Sequence, residues 1–453
     1  MLKLFKRKSL TRDVVSALAM AGVIASASMY SLAARAAEEP SGPRAPPPTR
    51  TSDVLTERVF RQVSDIQALM SPEDATVEPN YARAKVLLDE LYERYDRLND
   101  FEKSTVLNFY TNYYLNTDNI PEALRIFEQI LTIENLRIES RQRALMALGQ
   151  LYMGEERFQE AIDAFNRWRD ISDVENENVY LGLANSHYNL AQYNEAIPYL
   201  INHMDLLLAN GRTIAKNIYG LLNLMYIELE DYVNAERITK QMVTLFDEPS
   251  DWRNLSAIYG YLDNDKKRIE TLSVTFAKGY MENESEYLNL AQSLAGIDAA
   301  YKGARVLARG FELGIVEENE SNLQKLVQMY LLANEYEMAL APAIKAAELG
   351  ETGASYDQLG YIYYMMHDYQ NAADSIRKAL ERGGLSNAGD AQLFLARALV
   401  ELDQFDEAAA AARRAQDLGE TSARTFLTFI ENSRARFENL KMRKEDAIEF
   451  YRS

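Results

Sequence analysis

The sequence predicts an all-α chain: a solenoid of helix-turn-helix hairpins wound into a right-handed superhelix of about ten units. Three observations predict it. A large apolar residue followed three positions later by Ala recurs every 33 to 39 residues. From residue 53 onward no alternating apolar–polar run reads as a strand. The chain has 453 residues, too many for one compact core and well suited to an extended array.

The N-terminus is set apart. Lys3, Lys6, Arg7, Lys8 and Arg12 precede an Ala-, Val- and Ser-rich run from Val14 to Ala34, and Ala34-Arg35-Ala36 forms an A-x-A cleavage site. This pattern is that of a secretory signal peptide over residues 1–36, cleaved after Ala36 into the periplasm. An uncleaved inner-membrane anchor is the alternative. Pro40-Ser41-Gly42-Pro43 and Pro46-Pro47-Pro48 make residues 37–52 a stiff, disordered spacer.

Residues 53–103 read as a degenerate capping pair, with helices from Asp53 to Met70 and Asn80 to Tyr95 around a long Ser71–Pro79 insertion. The regular repeats follow in two blocks, 104–248 and 320–420. Their second helices open on Ile120 and Ala123, Phe158 and Ala161, Tyr193 and Ala196, Tyr232 and Ala235, Tyr336 and Ala339, Tyr369 and Ala372, and Phe405 and Ala408. First helices align through Leu148-Gly149, Leu183-Ala184, Leu222-Asn223, Leu326-Val327, Leu359-Gly360 and Leu395-Ala396. The best-formed copy is Arg141–Ile171, where Gly149 and Ala161 are read as small residues facing each other across the hairpin. Residues 249–319 are degenerate. Asp263 to Arg268 replaces the usual turn and Ala, Gly296 and Gly303 loosen the next turn, and a hinge is expected there. Residues 421–453 are a charged capping helix, to Leu440, and a tail.

This small–aromatic–small pattern on a period of about 34 resembles the tetratricopeptide repeat. The resemblance implies that first helices line a concave groove that takes extended peptides or helices. On this register the groove offers Asn108, Asn112, Gln150, Asn185, Tyr188, Asn189, Gln328, Tyr361 and Tyr364, with Met146, Met153 and Met365 beside them. Amides bond a peptide backbone without reading its sequence, and Tyr and Met add adaptable apolar contact. A two-carboxylate clamp needs Lys beside Asn112 and Asn185, but Asn108 and Leu181 stand there.

Enzyme chemistry has no constellation in this sequence, and no cofactor, metal or catalytic site is predicted. Cysteine is absent, which removes disulfides, zinc-thiolate sites and cysteine nucleophiles. His187, His203 and His367 are read as structural. Asp263-x-Asp265 starts like a calcium loop but lacks the later Gly and Glu. The formal charge is −19. Loss of residues 1–36 would leave 43 basic against 67 acidic residues, or −24. That balance disfavours nucleic acid and anionic membranes and favours a basic protein segment. Membrane association is expected only through partners or an uncleaved N-terminus.

The whole layout goes further. A signal peptide and proline spacer precede irregular repeats that begin TSDVLTERVFRQVSDIQALM. They end SARTFLTFIENSRARFENLK, with Phe426, Phe429, Glu431, Arg434 and Leu440. This resembles the periplasmic tetratricopeptide proteins that accompany TonB–ExbB–ExbD systems of Gram-negative bacteria, although that family usually has Trp where Phe426 stands. The resemblance implies an accessory role in TonB-dependent transport, with TonB, ExbB or ExbD as partners. The alternatives are a scaffold for envelope assembly or polysaccharide export, and a glycan-processing enzyme on a helical superhelix.

Overall fold

A computed structural model describes residues 54–74 and 76–452. The signal peptide and proline spacer lie outside the described residues. Among those described, 21 α-helices and one short 3-10 turn occur, with no strand. The chain divides into two compact units at Ile238/Thr239. The boundary falls inside a helix of the first block, upstream of the degenerate segment 249–319.

The first unit contains α1 (Glu57–Met70), α2 (Tyr81–Tyr92), α3 (Asp100–Asn116), α4 (Ile120–Leu131), α5 (Ile138–Gly154), α6 (Phe158–Asp170), α7 (Glu177–Asn189), α8 (Tyr193–Ala209) and α9 (Lys216–Glu228). Helix α10 (Tyr232–Phe246) crosses the boundary. Consecutive helices pack in pairs, and each pair packs on the next. The core of α1 to α7 is continuous from Val59 to Leu183 and includes Phe165 and Trp168. At its front, the buried Glu102 of α3 accepts hydrogen bonds from Thr56 N–H at 2.9 Å, the Thr56 hydroxyl at 2.8 Å and Asn99 N–H at 3.1 Å. Burial pushes the Glu102 carboxyl up, but these bonds outweigh it and hold the group below its ordinary range.

The second unit continues with α11 (Pro249–Tyr261), α12 (Asp265–Ala277), α13 (Glu284–Gly296), α14 (Ala300–Glu312), α15 (Glu320–Leu332) and α16 (Tyr336–Leu349). It ends with α17 (Ala354–Met365), α18 (Tyr369–Arg382), α19 (Ala388–Glu401), α20 (Phe405–Asp417) and α21 (Ala423–Arg452). One core runs from Ile269 to Ile362 and another from Ala372 to Ile430.

Why these residues form hairpins is visible in the turns. Asp118, Glu156, Ala191, Glu230, Asp263, Asp298, Asn334, His367 and Asp403 all adopt positive φ between the two helices of a pair. The next N–H then bonds the carbonyl five residues back, at 2.8 to 3.0 Å in all nine turns. Asparagine also caps helices of both kinds: Asn99 and Asn283 form capping boxes with Glu102 and Glu286 on first helices, Asn319 caps a first helix, and Asn119 and Asn264 cap second helices through their side chains.

The degenerate turns share this geometry. Asp263 has φ 50° and Asp298 φ 59°, like their counterparts. Arg268 stands in the Ala register, and its guanidinium leaves the crossing to meet Asp265 at 2.9 Å and Asn289 of α13 at 2.9 Å. Gly303 holds the same register in α14. It tightens the packing rather than loosening the turn: a Cβ there would stand 2.5 Å from the Ala291 carbonyl oxygen. The seven register alanines, from Ala123 to Ala408, are fully buried.

Two further expectations are corrected. The space at Gly149 is filled by the Phe165 ring, not by Ala161. The terminal helix does not stop at Leu440 but runs 30 residues to Arg452, because no Gly or Pro interrupts it.

Candidate protein-binding groove

The positive-φ residue of each hairpin turn gives a ruler for the first helices. Six residues before it stand Asn112, Gln150, Asn185 and Leu224 in the first unit, and Ala257, Gln292, Gln328, Tyr361 and Arg397 in the second. Most of these positions carry an amide or an aromatic side chain, all on the same side of their helices.

In the first unit the amides are partly engaged by their own helices. Asn116 Nδ2 donates to the Asn112 side chain, and Asn189 Nδ2 donates to the Asn185 carbonyl at 2.8 Å. Asn108 is exposed, Gln150 is half-buried, and the Tyr188 ring packs 5.9 Å from Tyr193. The three histidines are held structurally. His203 is buried with Nδ1 2.8 Å from the Glu177 carbonyl oxygen. His187 stacks on Tyr199 and lies 2.7 Å from Gln192 Oε1. His367 Nδ1 lies 2.8 Å from the Tyr369 hydroxyl.

The second unit forms a groove of about 610 Å³ across α13, α15 and α17. Four glutamines line it: Gln292, Gln324, Gln328 and Gln358. Lys325, Met329 and Leu332 line it too, with the small Ala295, Ser321 and Ala354 between them. The buried Asn322 ties two of its hairpins together, donating to Glu284 Oε1 at 2.7 Å and to the Glu317 carbonyl at 3.0 Å. Gln324 is oriented by donating to Ser355 Oγ at 2.7 Å and to Glu320 Oε1 at 3.1 Å, while Ser355 itself donates to Glu320. Its amide oxygen is left to accept. Lys325 Nζ is steadied by Ser321 Oγ and Asn322 Oδ1, both at 3.0 Å.

The next residues along α17 change character. Tyr361 and Tyr364 pack on Phe394 at 6.1 and 5.0 Å, and Tyr364 also meets Tyr369 at 5.4 Å. Burial raises both phenols above their ordinary range. Asp357 sits one residue before Gln358, and burial, with Asp390 nearby, raises its carboxyl. The groove therefore offers amide donors and acceptors, one cation, an exposed Leu and an aromatic end. That is chemistry for a main chain with occasional apolar side chains.

Of the residues picked out in sequence, only Gln328 lines this groove. Gln292 holds the same ruler position, in a hairpin whose sequence looks degenerate. Gln324, Lys325 and Gln358 lie one turn before the ruler positions Gln328 and Tyr361 and carry no signal of their own.

Residues 112–175 and 358–423 match the tetratricopeptide repeat family. The chain carries tetratricopeptide repeats in these two segments. Its architecture is the all-α tetratricopeptide helical repeat throughout the described hairpins. Arrays of this kind generally act as protein–protein interaction scaffolds. No curated protein matches the chain. A tetratricopeptide repeat protein from Parabacteroides merdae ATCC 43184 is 14% identical over 65% of this chain and 98% of its own, with a TM-score of 0.31. YrrB, described as having an unusual peptide-binding site, is 18% identical over 41% of this chain and 89% of its own, with a TM-score of 0.32. The Cut9-Hcn1 hetero-tetramer of APC/C is 13% identical over 82% of this chain and 81% of its own, with a TM-score of 0.27.

Proposed function

We propose that this chain is a non-enzymatic periplasmic scaffold that holds an extended segment of a protein partner along its first helices, as an accessory component of a TonB-dependent energy-transduction system. The observation that carries the scaffold reading is the four-glutamine groove across α13, α15 and α17. Its amides suit peptide main chain, and the net charge of −19 favours a basic or neutral segment over an acidic one.

The finer assignment is supported by sequence alone. The basic n-region, apolar run and Ala34-Arg35-Ala36 support export. The proline spacer, the opening helix and the Phe426–Leu440 ending support the likeness to proteins that accompany TonB, ExbB and ExbD. No helix among the described residues is long and apolar enough to cross a membrane.

In-cell crosslinking of the full-length protein followed by mass spectrometry tests the assignment. Capture of TonB, ExbB or ExbD is the expected result. Consistent capture of a polysaccharide-export porin without any of these three would reassign the scaffold to envelope assembly.

A further inference from the structure

The last helix outruns the hairpins it caps. Helix α21 packs through the buried Ala423 and Ile430, Phe437 meets Phe405 at 5.6 Å, and Arg434 pairs with Asp406. Every residue from Glu438 to Ile448 is exposed. About four helical turns, roughly 22 Å, thus extend past the last contact with the repeats.

The packing face continues into this extension. Ala423, Ile430 and Phe437 are spaced by sevens, and the same stripe runs on through Leu440, Lys444 and Ala447 at alternating steps of three and four. That is the seam of a two-helix coil, with one Lys at a core position of the kind that sets register. Leu440 is 55% exposed, and Ile448, beside the seam, is 41% exposed. An interface already used against the last hairpin therefore goes on uncovered.

Charge selects the occupant. From Phe437 to Ile448 three basic and three acidic side chains balance, so their placement round the helix decides. Arg436, Lys441 and Arg443 flank the seam, while Glu438, Glu445 and Asp446 lie farther round the helix. A second copy, parallel or antiparallel, would place basic flank against basic flank and is disfavoured. An acidic flank complements this one.

We propose that the distal part of α21, from Phe437 to Ile448, is a docking helix for an acidic amphipathic helix of another protein, joined to it as a two-helix coil. This surface is independent of the glutamine groove.

The test uses the full-length protein and two fluorescein-labelled synthetic 21-residue helices with Leu at the seam positions. One has Glu on both flanks and the other Lys. Fluorescence anisotropy is expected to show the acidic helix binding at least tenfold more tightly than the basic one. Leu440→Asp is expected to weaken the acidic helix at least tenfold, and Lys441→Glu with Arg443→Glu to reverse the preference. Thermal melts of these exposed-site variants are expected to match the parent. Equal binding of both helices, or binding of neither, overturns the proposal. So does a dimer in light scattering, or sedimentation with phosphatidylserine vesicles, that Leu440→Asp abolishes.

Discussion

The Phe165 ring occupies the space that Gly149 leaves open: a Cβ on Gly149 would come 2.5 Å from it. Gly182, on the first helix of the next hairpin, leaves the same gap on another side of the ring, again 2.5 Å from a Cβ. One aromatic side chain of α6 thus locks two first helices, α5 and α7, and Phe165 is only 1% exposed.

Substitution at this lock has a defined signature. Gly149→Ala is expected to cost about 1–3 kcal/mol through overpacking. Phe165→Ala is expected to cost about 3–5 kcal/mol through the cavity it leaves. The Gly149→Ala, Phe165→Leu pair is expected to lose less than the sum of its single changes, because Leu vacates the volume the new methyl needs. Chemical denaturation of the parent, Gly149→Ala, Phe165→Leu and the pair checks this, and strict additivity would show that the two sites are uncoupled.

Two other glycines separate structural need from tolerance. Gly303→Ala drives a methyl to 2.5 Å from the Ala291 carbonyl oxygen, a backbone atom that cannot swing aside, and is expected to destabilise by about 1–3 kcal/mol. Gly220 lies inside α9 with nothing within 4 Å of a Cβ. Gly220→Ala is expected to stabilise by about 0.5–1 kcal/mol. Thermal melts rank the two, and a reversed order would contradict the tight α13–α14 crossing.

The ruler of hairpin turns explains how much of this molecule was readable in its sequence. The alanine register and paired first helices came from periodicity, since small residues are demanded wherever two helices cross closely. Arg268 and Gly303 broke the pattern in letters but not in space. Arginine leaves the crossing on a long side chain, and glycine needs less room than alanine. The turn residues were also hidden, because Asp, Glu, Ala, Asn and His all take the left-handed position that glycine would advertise. Gln292 belongs to the groove by register, but its hairpin's weak letters concealed it. The length of α21 was hidden because nothing in its sequence marks where packing ends and helix continues.

The buried Glu102 and the half-buried Asp357 predict opposite responses to pH. Glu102 is held below its ordinary range, so its contribution is present above the unfolded value of about 4.3 and is lost as pH falls through the lower folded value. Glu102→Gln is expected to cost about 1–3 kcal/mol at pH 7, with the deficit shrinking toward pH 3. Asp357 is raised, so its carboxylate penalises the fold once pH rises above about 3.9 and most fully beyond the raised folded value. Asp357→Asn is expected to raise Tm at pH 7 and to leave it unchanged near pH 3. Melts across this range test both signs, and a shared direction would refute the assignments.

The central claim is that partners bind along the first helices of the second unit. Photo-crosslinking amino acids placed singly at Gln292, Gln328 and Gln358, with Glu348 on the second helix α16 as control, measure it directly in cells. The groove reading predicts that the three groove positions trap the same protein and that Glu348 traps none. Trapping of that protein at Glu348 alone, or equally at all four positions, would contradict it.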